Sequence, residues 1–296
     1  MQSVVIGATG VVGSFIRQKL IESGERPYGL SRHYQQGIDG TIWIRGDLSS
    51  PELILPPTDV IYSTVHPSIL ATALDRIVTG AAQRLVCFTS TSIVTKFDSS
   101  IQIEREGVRE LAEGELRLRR ACEARNLDCT VLRPTIIYAE GLDANLTRVA
   151  KFIKRFGFFP IAGKGNGLRQ PVHAEDLAIG AIAASSSPRT SNKTYVLPGK
   201  DVLTYREMVG RIFDSLDQPR IIVPIPPRIW VLAFRVFSPF FPKANSAMGI
   251  RMSKDMVFDG TPAVEDFGWN PRPFNPLFRK TAYSREDDLV SQARES

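Results

Sequence analysis

Only three cysteines occur in 296 residues, Cys87, Cys122 and Cys129. Their number is odd and they lack metal-ligand spacing, so neither a disulfide framework nor a zinc site is expected. Two lie in apolar surroundings, and all read as buried thiols of a reducing compartment. Long apolar runs are missing too. The most hydrophobic tract, IIVPIPPRIWVLAFRVFSPFFP, is broken by Arg228, Arg235 and several prolines, which excludes a membrane-spanning helix. No internal repeat or low-complexity segment occurs, and Met1 runs directly into VVIGATG without a signal peptide, so a cytoplasmic protein is expected. No basic-aromatic patch marks a nucleic-acid partner. The chain is 43% hydrophobic and 23% charged, which excludes disordered and fibrous classes. Its net charge, 37 − 31 = +6, favours anionic ligands in general. The densest basic run, Arg117 to Arg120, has glutamates a helical turn away and reads as a solvated, ion-paired face.

What is present is alternation. SVVIG, PYGLS, TIWIRG, DVIYST, RLVCFTS and DCTVLRP read as strands, being β-rich, apolar on both sides, and bounded by Gly, Pro, Asp or Ser. Helical patterns lie between most of them, at about 11–23, 68–82 and 104–125. The connection SSPELILPP is too short for a full helix. This order predicts an α/β fold, a Rossmann-type doubly wound parallel sheet. Further on, 142–156, HAEDLAIGAIAAS and TYREMVGRIFDSL are helical, the last capped by Thr204, and TYVLPG returns as a strand. The expected division is a dinucleotide-binding domain at 1–141 and 171–200, a smaller substrate-binding lobe over the carboxyl ends of the sheet at 142–170 and 201–285, and a tail at 286–296.

The strongest motif is VVIGATGVVG. Gly7 permits a tight turn, Gly10 lets backbone N–H groups approach a pyrophosphate, and Gly13 lets the helix pack against the strand. Thr9 and Val11 belong to the same loop. At the end of the second strand an NAD site usually carries a carboxylate. Here the chain reads Leu30-Ser31-Arg32-His33, and Ser31 with Arg32 suits a 2′-phosphate. NADP(H) is therefore expected, with NAD as the alternative should Arg32 be only a solvated loop residue.

The GATGxxG start, Gly46-Asp47-Leu48, the Ser/Thr cluster after the fifth strand and Leu132-Arg133-Pro134 together resemble the extended short-chain dehydrogenase/reductase superfamily, within it the NAD-dependent epimerase/dehydratase family. The likeness runs through RQPVHAEDLA to the late FGWNPRPF. It implies that Asp47 bonds the adenine ring, unless that residue only caps the Ser49-Ser50-Pro51 turn, and that Leu48 and Pro134 line the cofactor. It also implies hydride exchange at a carbinol carbon, with a tyrosine moving the hydroxyl proton and a lysine four residues later lowering its pKa.

That pair is missing. Aligned on Glu115, the tyrosine position falls on Gly107 and the lysine position on Leu111, and no tyrosine in the chain precedes a lysine by four. Val108, Leu111, Glu115, Leu118 and Cys122 form a stripe of helical spacing, expected against the sheet. Thr91 fits the family's substrate-orienting hydroxyl, or serves only a strand end. Candidates for the proton are Glu104 and Glu106, if desolvated, Tyr138, and Lys96. Arg169, in RQPVH, matches the family arginine that grips a nucleotide-sugar diphosphate, with Asn145 assisting and Arg251 adding charge; otherwise Arg169 pairs with a carboxylate of the lobe. The loop Gly163 to Gly167 is expected to be flexible and to serve as a lid. Membrane-surface contact is an option for 224–242, and the oligomeric state is open. Two readings result. One is an NAD(P)-dependent oxidoreductase or epimerase for a nucleotide-activated or lipid-linked sugar, or a related carbonyl or carbinol. The other is a non-catalytic NADP(H)-binding sensor or assembly protein.

Overall fold

A computed structural model describes residues 1–36, 39–77, 82–226, 229–230 and 247–280. The tail at 286–296 and most of 224–242 lie outside the described residues. In the amino-terminal half the elements are β1 (Ser3–Ile6), α1 (Val11–Glu22), β2 (Tyr28–Ser31), β3 (Ile42–Arg45), β4 (Val60–Ser63), α2 (Pro67–Ile77), β5 (Arg84–Phe88), α3 (Ser92–Thr95), α4 (Gln102–Glu123) and β6 (Asp128–Pro134). They continue with β7 (Ile137–Tyr138), α5 (Leu146–Phe156), β8 (Phe159–Ala162), β9 (Leu168–Arg169), β10 (Val172–His173), α6 (Ala174–Ser186), β11 (Thr194–Leu197), β12 (Leu203–Thr204), α7 (Tyr205–Ser215), β13 (Ile222–Ile225), α8 (Ala247–Arg251) and α9 (Thr261–Phe267). The expected strands and helices form, with ends shifted by a few residues. Residues 78–81, at the end of the second expected helix, lie outside the described residues.

Seven parallel strands make the central sheet in the order β11-β6-β5-β4-β1-β2-β3. The chain moves outward from β1 through β2 and β3, then crosses to β4 on the other side. The switch point therefore lies between β1 and β4, where α/β sheets place their ligands at the carboxyl ends. Val4, Val5 and Ile6 have no exposed surface, because a parallel sheet covered on both faces needs apolar side chains in succession rather than alternation. Burying each such side chain contributes about 1.5–3 kcal/mol. Val12, Ile16 and Leu20 fall four apart along α1 and are buried.

The chain folds into two compact units. The first comprises Met1–Ile137, Gln170–Val202 and Met256–Pro273 and holds the whole sheet. The second comprises Tyr138–Arg169, Leu203–Asp255 and Phe274–Ser296. In the second unit α5 buries Leu146, Val149, Ala150 and Ile153 along one face and ends at Gly157, whose φ of 73° suits the left-handed C-cap. Thr204 caps α7 as expected, in a full capping box with Glu207. Cys87, Cys122 and Cys129 are all buried and unbridged in the first unit. Hydrogen bonding to Cys129 and burial push the Cys87 and Cys122 thiols up, so they are held as neutral core groups. Among the described residues no helix is long and apolar enough to cross a membrane, and no cluster of metal-ligating side chains occurs.

Candidate functional site

The glycine loop after β1 is built by close approaches that exclude side chains. Gly7 has φ of 82°, and a Cβ there would stand 2.3 Å from Thr64 Oγ1, at the end of β4. A Cβ on Gly13 would stand 2.2 Å from the Gly7 carbonyl oxygen, so α1 lies against the loop as closely as backbone permits. The Gly10 N–H donates to Gly7 O at 2.9 Å and closes the turn. Thr64 clamps it from beneath, its N–H donating to Ile6 O at 3.0 Å and its hydroxyl to Gly7 O at 3.2 Å. Thr9 and Gly10 are exposed, above the first turn of α1, whose N–H groups have no acceptor within the helix. Two residues past Thr64, His66 is half-buried, and its Nδ1 accepts from the Ser68 N–H at 3.3 Å.

At the end of β2, the buried Ser31 hydroxyl donates to His33 O at 2.8 Å and accepts the His33 N–H at 3.2 Å, shaping the turn that carries Arg32 outward. Arg32 is exposed. Asp47 accepts the Ser49 N–H at 2.8 Å and its hydroxyl at 2.7 Å. These bonds, with the nearby charge of Arg32, hold its carboxyl below the ordinary value. Asp47 thus caps the turn at Ser49. Leu48 turns its side chain into the core. Pro134 ends β6, and its carbonyl accepts both the Thr91 N–H at 3.2 Å and the Thr91 hydroxyl at 3.0 Å.

Along α4, Val108, Glu115, Leu118 and Cys122 are buried as the stripe predicted, but Leu111 only partly so. Glu115 is 5% exposed and receives Arg133 at 2.7 and 3.2 Å and the Thr89 hydroxyl at 3.2 Å, which ties the helix to the ends of β5 and β6. Gly107 is exposed, and a Cβ there would meet nothing within 4 Å. The proposed acids fare differently from expectation. Glu106 is exposed and accepts from Gln102 at 2.7 Å, so the desolvation its role required is absent. Glu104 takes the Ser99 hydroxyl at 2.6 Å and faces Lys96 at 3.6 Å, a local pair that occupies both candidates.

Tyr138, Asn145, Arg169 and Arg251 belong to the second unit. Tyr138 is 1% exposed and meets Phe274 edge-on at 5.0 Å. Asn145 is exposed just before α5. The organiser there is Asp143, which sequence reasoning missed. Its buried carboxylate accepts the N–H groups of Asn145, Leu146, Thr147 and Ala139 and the Thr147 hydroxyl. Arg169 is 6% exposed, and its guanidinium donates to the carbonyls of Leu168 at 2.6 Å, Lys254 at 2.8 Å and Arg251. It binds backbone rather than the carboxylate considered as its alternative partner. Burial and the charge of Arg251 lower its pKa. The lid expectation for Gly163 to Gly167 is corrected. Gly167 donates to Met252 O at 3.0 Å, and Gly165 O and Gly167 O accept from Arg206 at 3.0 Å and Tyr205 at 2.8 Å, so the loop is pinned at both ends.

The two late motifs also meet each other. In the first unit Asp176, of RQPVHAEDLA, accepts the N–H and Nε of Arg272, of FGWNPRPF, at 2.9 and 2.8 Å. Glu175 accepts from Arg272 at 2.7 Å and pairs with Lys19 at 2.6 Å. Much of this motif pair is therefore a latch within the fold.

No protein-family model matches the chain. It is 23% identical to UDP-glucose 4-epimerase of Vibrio cholerae over 94% of each protein. Over 33% of its length it is 36% identical to mitochondrial NADH dehydrogenase (ubiquinone) 1 alpha subcomplex subunit 9 of Arabidopsis thaliana, covering 25% of that subunit. Among solved structures, UDP-glucuronic acid 4-epimerase from Bacillus cereus, in complex with NAD, superposes with a TM-score of 0.69 at 15% identity, covering 100% of this chain and 98% of that one. The chain is thus similar over its whole length to a UDP-glucose 4-epimerase in sequence, and it shares the fold of UDP-glucuronic acid 4-epimerase.

Proposed function

We propose that the chain binds NADP(H) at the carboxyl edge of its sheet and acts as an oxidoreductase or epimerase on a nucleotide-activated or lipid-linked sugar, or a related carbonyl or carbinol. The observation that carries this reading is the glycine loop. At Gly7 and Gly13 even one carbon would collide with the loop's own scaffold, while Thr9 and Gly10 stay exposed over the free N–H groups of α1. Such a cradle fits a pyrophosphate, which needs close main-chain approach and a positive helix end. Gly7, Thr9, Gly10, Val11 and Gly13 would hold the phosphates, Ser31 and Arg32 the ribose end, and Asp47 and Pro134 the remaining walls, with Leu48 packed behind them in the core. When bound, the nicotinamide supplies hydride exchange with the substrate carbon. The epimerase relatives support this class of chemistry.

The chain's own contribution to proton movement departs from the family pattern. The Thr91 hydrogen is committed to Pro134 O, so toward a substrate its oxygen acts as an acceptor. It would orient a carbinol hydroxyl rather than polarise a carbonyl. Arg169 reaches a diphosphate only by giving up bonds to three carbonyls, a cost that favours a substrate able to replace them.

A second reading, a non-catalytic NADP(H)-binding sensor or assembly protein, draws on Gly107 and Leu111 at the family's tyrosine and lysine positions and on the likeness to a subunit of NADH dehydrogenase. Titration with NADPH followed by incubation with NADP+ or NAD+ and UDP-glucose, watching for UDP-galactose or reduced cofactor, separates the two. Binding with turnover supports the enzyme, and binding without turnover of a wider carbonyl and carbinol panel supports the sensor.

A further inference from the structure

Arg45 lies outside every role argued above, yet the sheet places it beside Ser31. β2 and β3 pair in parallel with Ser31 opposite Arg45, and the Gly46 N–H donates to Ser31 O at 2.9 Å, so the register holds to the strand ends. Neighbouring strands run about 4.8 Å apart, well within the reach of an arginine. Side chains two apart on a strand share a face, so Arg45 projects on the face of Trp43. On that face Arg17 stacks over Trp43 at 4.5 Å, while its Nε donates to Ala8 O, inside the glycine loop, at 2.9 Å. The face bearing Arg45 is therefore continuous with the phosphate cradle.

Arg17 is satisfied by Ala8, Thr41 and Asp39. Arg45 is exposed and has no hydrogen bond or ion pair among the described residues. Asp47, two residues on, gives its carboxylate to Ser49, and the cation whose charge it feels is Arg32. The ends of β2 and β3 thus present two arginines against one carboxylate that is already hydrogen-bonded. Two cations at the ends of neighbouring strands suit a dianion, and a lone ribose hydroxyl gives them nothing to neutralise.

We propose that Arg45 is a specificity-determining residue, the second cation that selects a 2′-phosphorylated dinucleotide over its unphosphorylated counterpart. The inference rests on the dinucleotide reading of the glycine loop. The test titrates NADPH and NADH into the full-length protein and its Arg45→Ala, Arg45→Lys and Arg32→Ala variants, following nicotinamide fluorescence, with thermal unfolding to confirm that each variant folds. The expected result is that Arg45→Ala weakens NADPH binding at least tenfold and leaves NADH within twofold, with Arg45→Lys intermediate. If the NADPH-to-NADH ratio is unchanged in Arg45→Ala but falls in Arg32→Ala, this inference is overturned and the dinucleotide reading stands. A wild-type preference for NADH overturns it equally. If the wild-type protein binds neither nucleotide, the reading beneath it falls as well.

Discussion

Replacing Gly13 with alanine probes the loop at its tightest point. The added Cβ would lie 2.2 Å from Gly7 O, 2.9 Å from Gly7 C and 3.2 Å from Ala8 Cα. All three are backbone atoms, so no side chain can swing aside. A comfortable carbon–oxygen separation is about 1 Å longer, and α1 must back away from β1 by roughly that amount. Overpacking of this kind costs about 1–3 kcal/mol. At roughly 2–4 °C per kcal/mol for a large domain, Tm should fall by several degrees. The same shift would withdraw the N–H groups of α1 from the phosphates of the proposed dinucleotide. Losing one charge-assisted hydrogen bond, worth about 1.5–3 kcal/mol, weakens NADPH binding about 10- to 100-fold. Thermal unfolding and fluorescence titration read the two effects separately. Gly107→Ala is the stability control. That helical position has open space around its Cβ, and alanine there should stabilise by about 0.5–1 kcal/mol. A Gly13→Ala protein that keeps wild-type Tm and NADPH affinity would refute the close-packing account of the loop.

Two further outcomes follow from buried or paired carboxylates. Asp143→Ala strips partners from four N–H groups and a hydroxyl at the start of α5 and should cost about 2–3 kcal/mol in chemical denaturation, with Asp143→Asn recovering part of it. The Lys19 and Arg272 partners hold the Glu175 carboxyl below its ordinary value of 4.5. A group depressed in the folded state stabilises above its unfolded pKa and loses that contribution as pH falls through the folded value. The stability difference between wild type and Glu175→Gln should therefore be full at pH 7 and shrink below about pH 4.5; a difference that grows on acidification would contradict the assignment.

The sheet was legible because its cause is local and repeated: SVVI, VIYS and RLVCF are apolar at successive positions, which only a strand covered on both faces tolerates. Gly7, Gly10 and Gly13 were legible for a similar reason, since spacing between a strand and a helix already dictates a turn and a close approach. Less could be read where partners come from distant sequence. Arg169 matched a substrate motif, but three carbonyls from 168, 251 and 254 claim its donors. Glycines 163 to 167 suggested flexibility, yet their backbone is held from the 200s and 250s. Arg45 carried no signal at all, because its neighbour Ser31 is fixed by register rather than by spacing. Asp143 did carry one: a carboxylate two residues before Asn145 and a helical run is a capping signal.

The central claim is that the loop from Gly7 to Gly13 and the cations beside Ser31 form a seat for a phosphorylated dinucleotide. Equilibrium titration of the purified, nucleotide-free protein with NADPH, competed by NADH, tests it most directly. The expected result is saturable one-site binding of NADPH, tighter than NADH by at least tenfold. Absence of saturable binding by either nucleotide would contradict it.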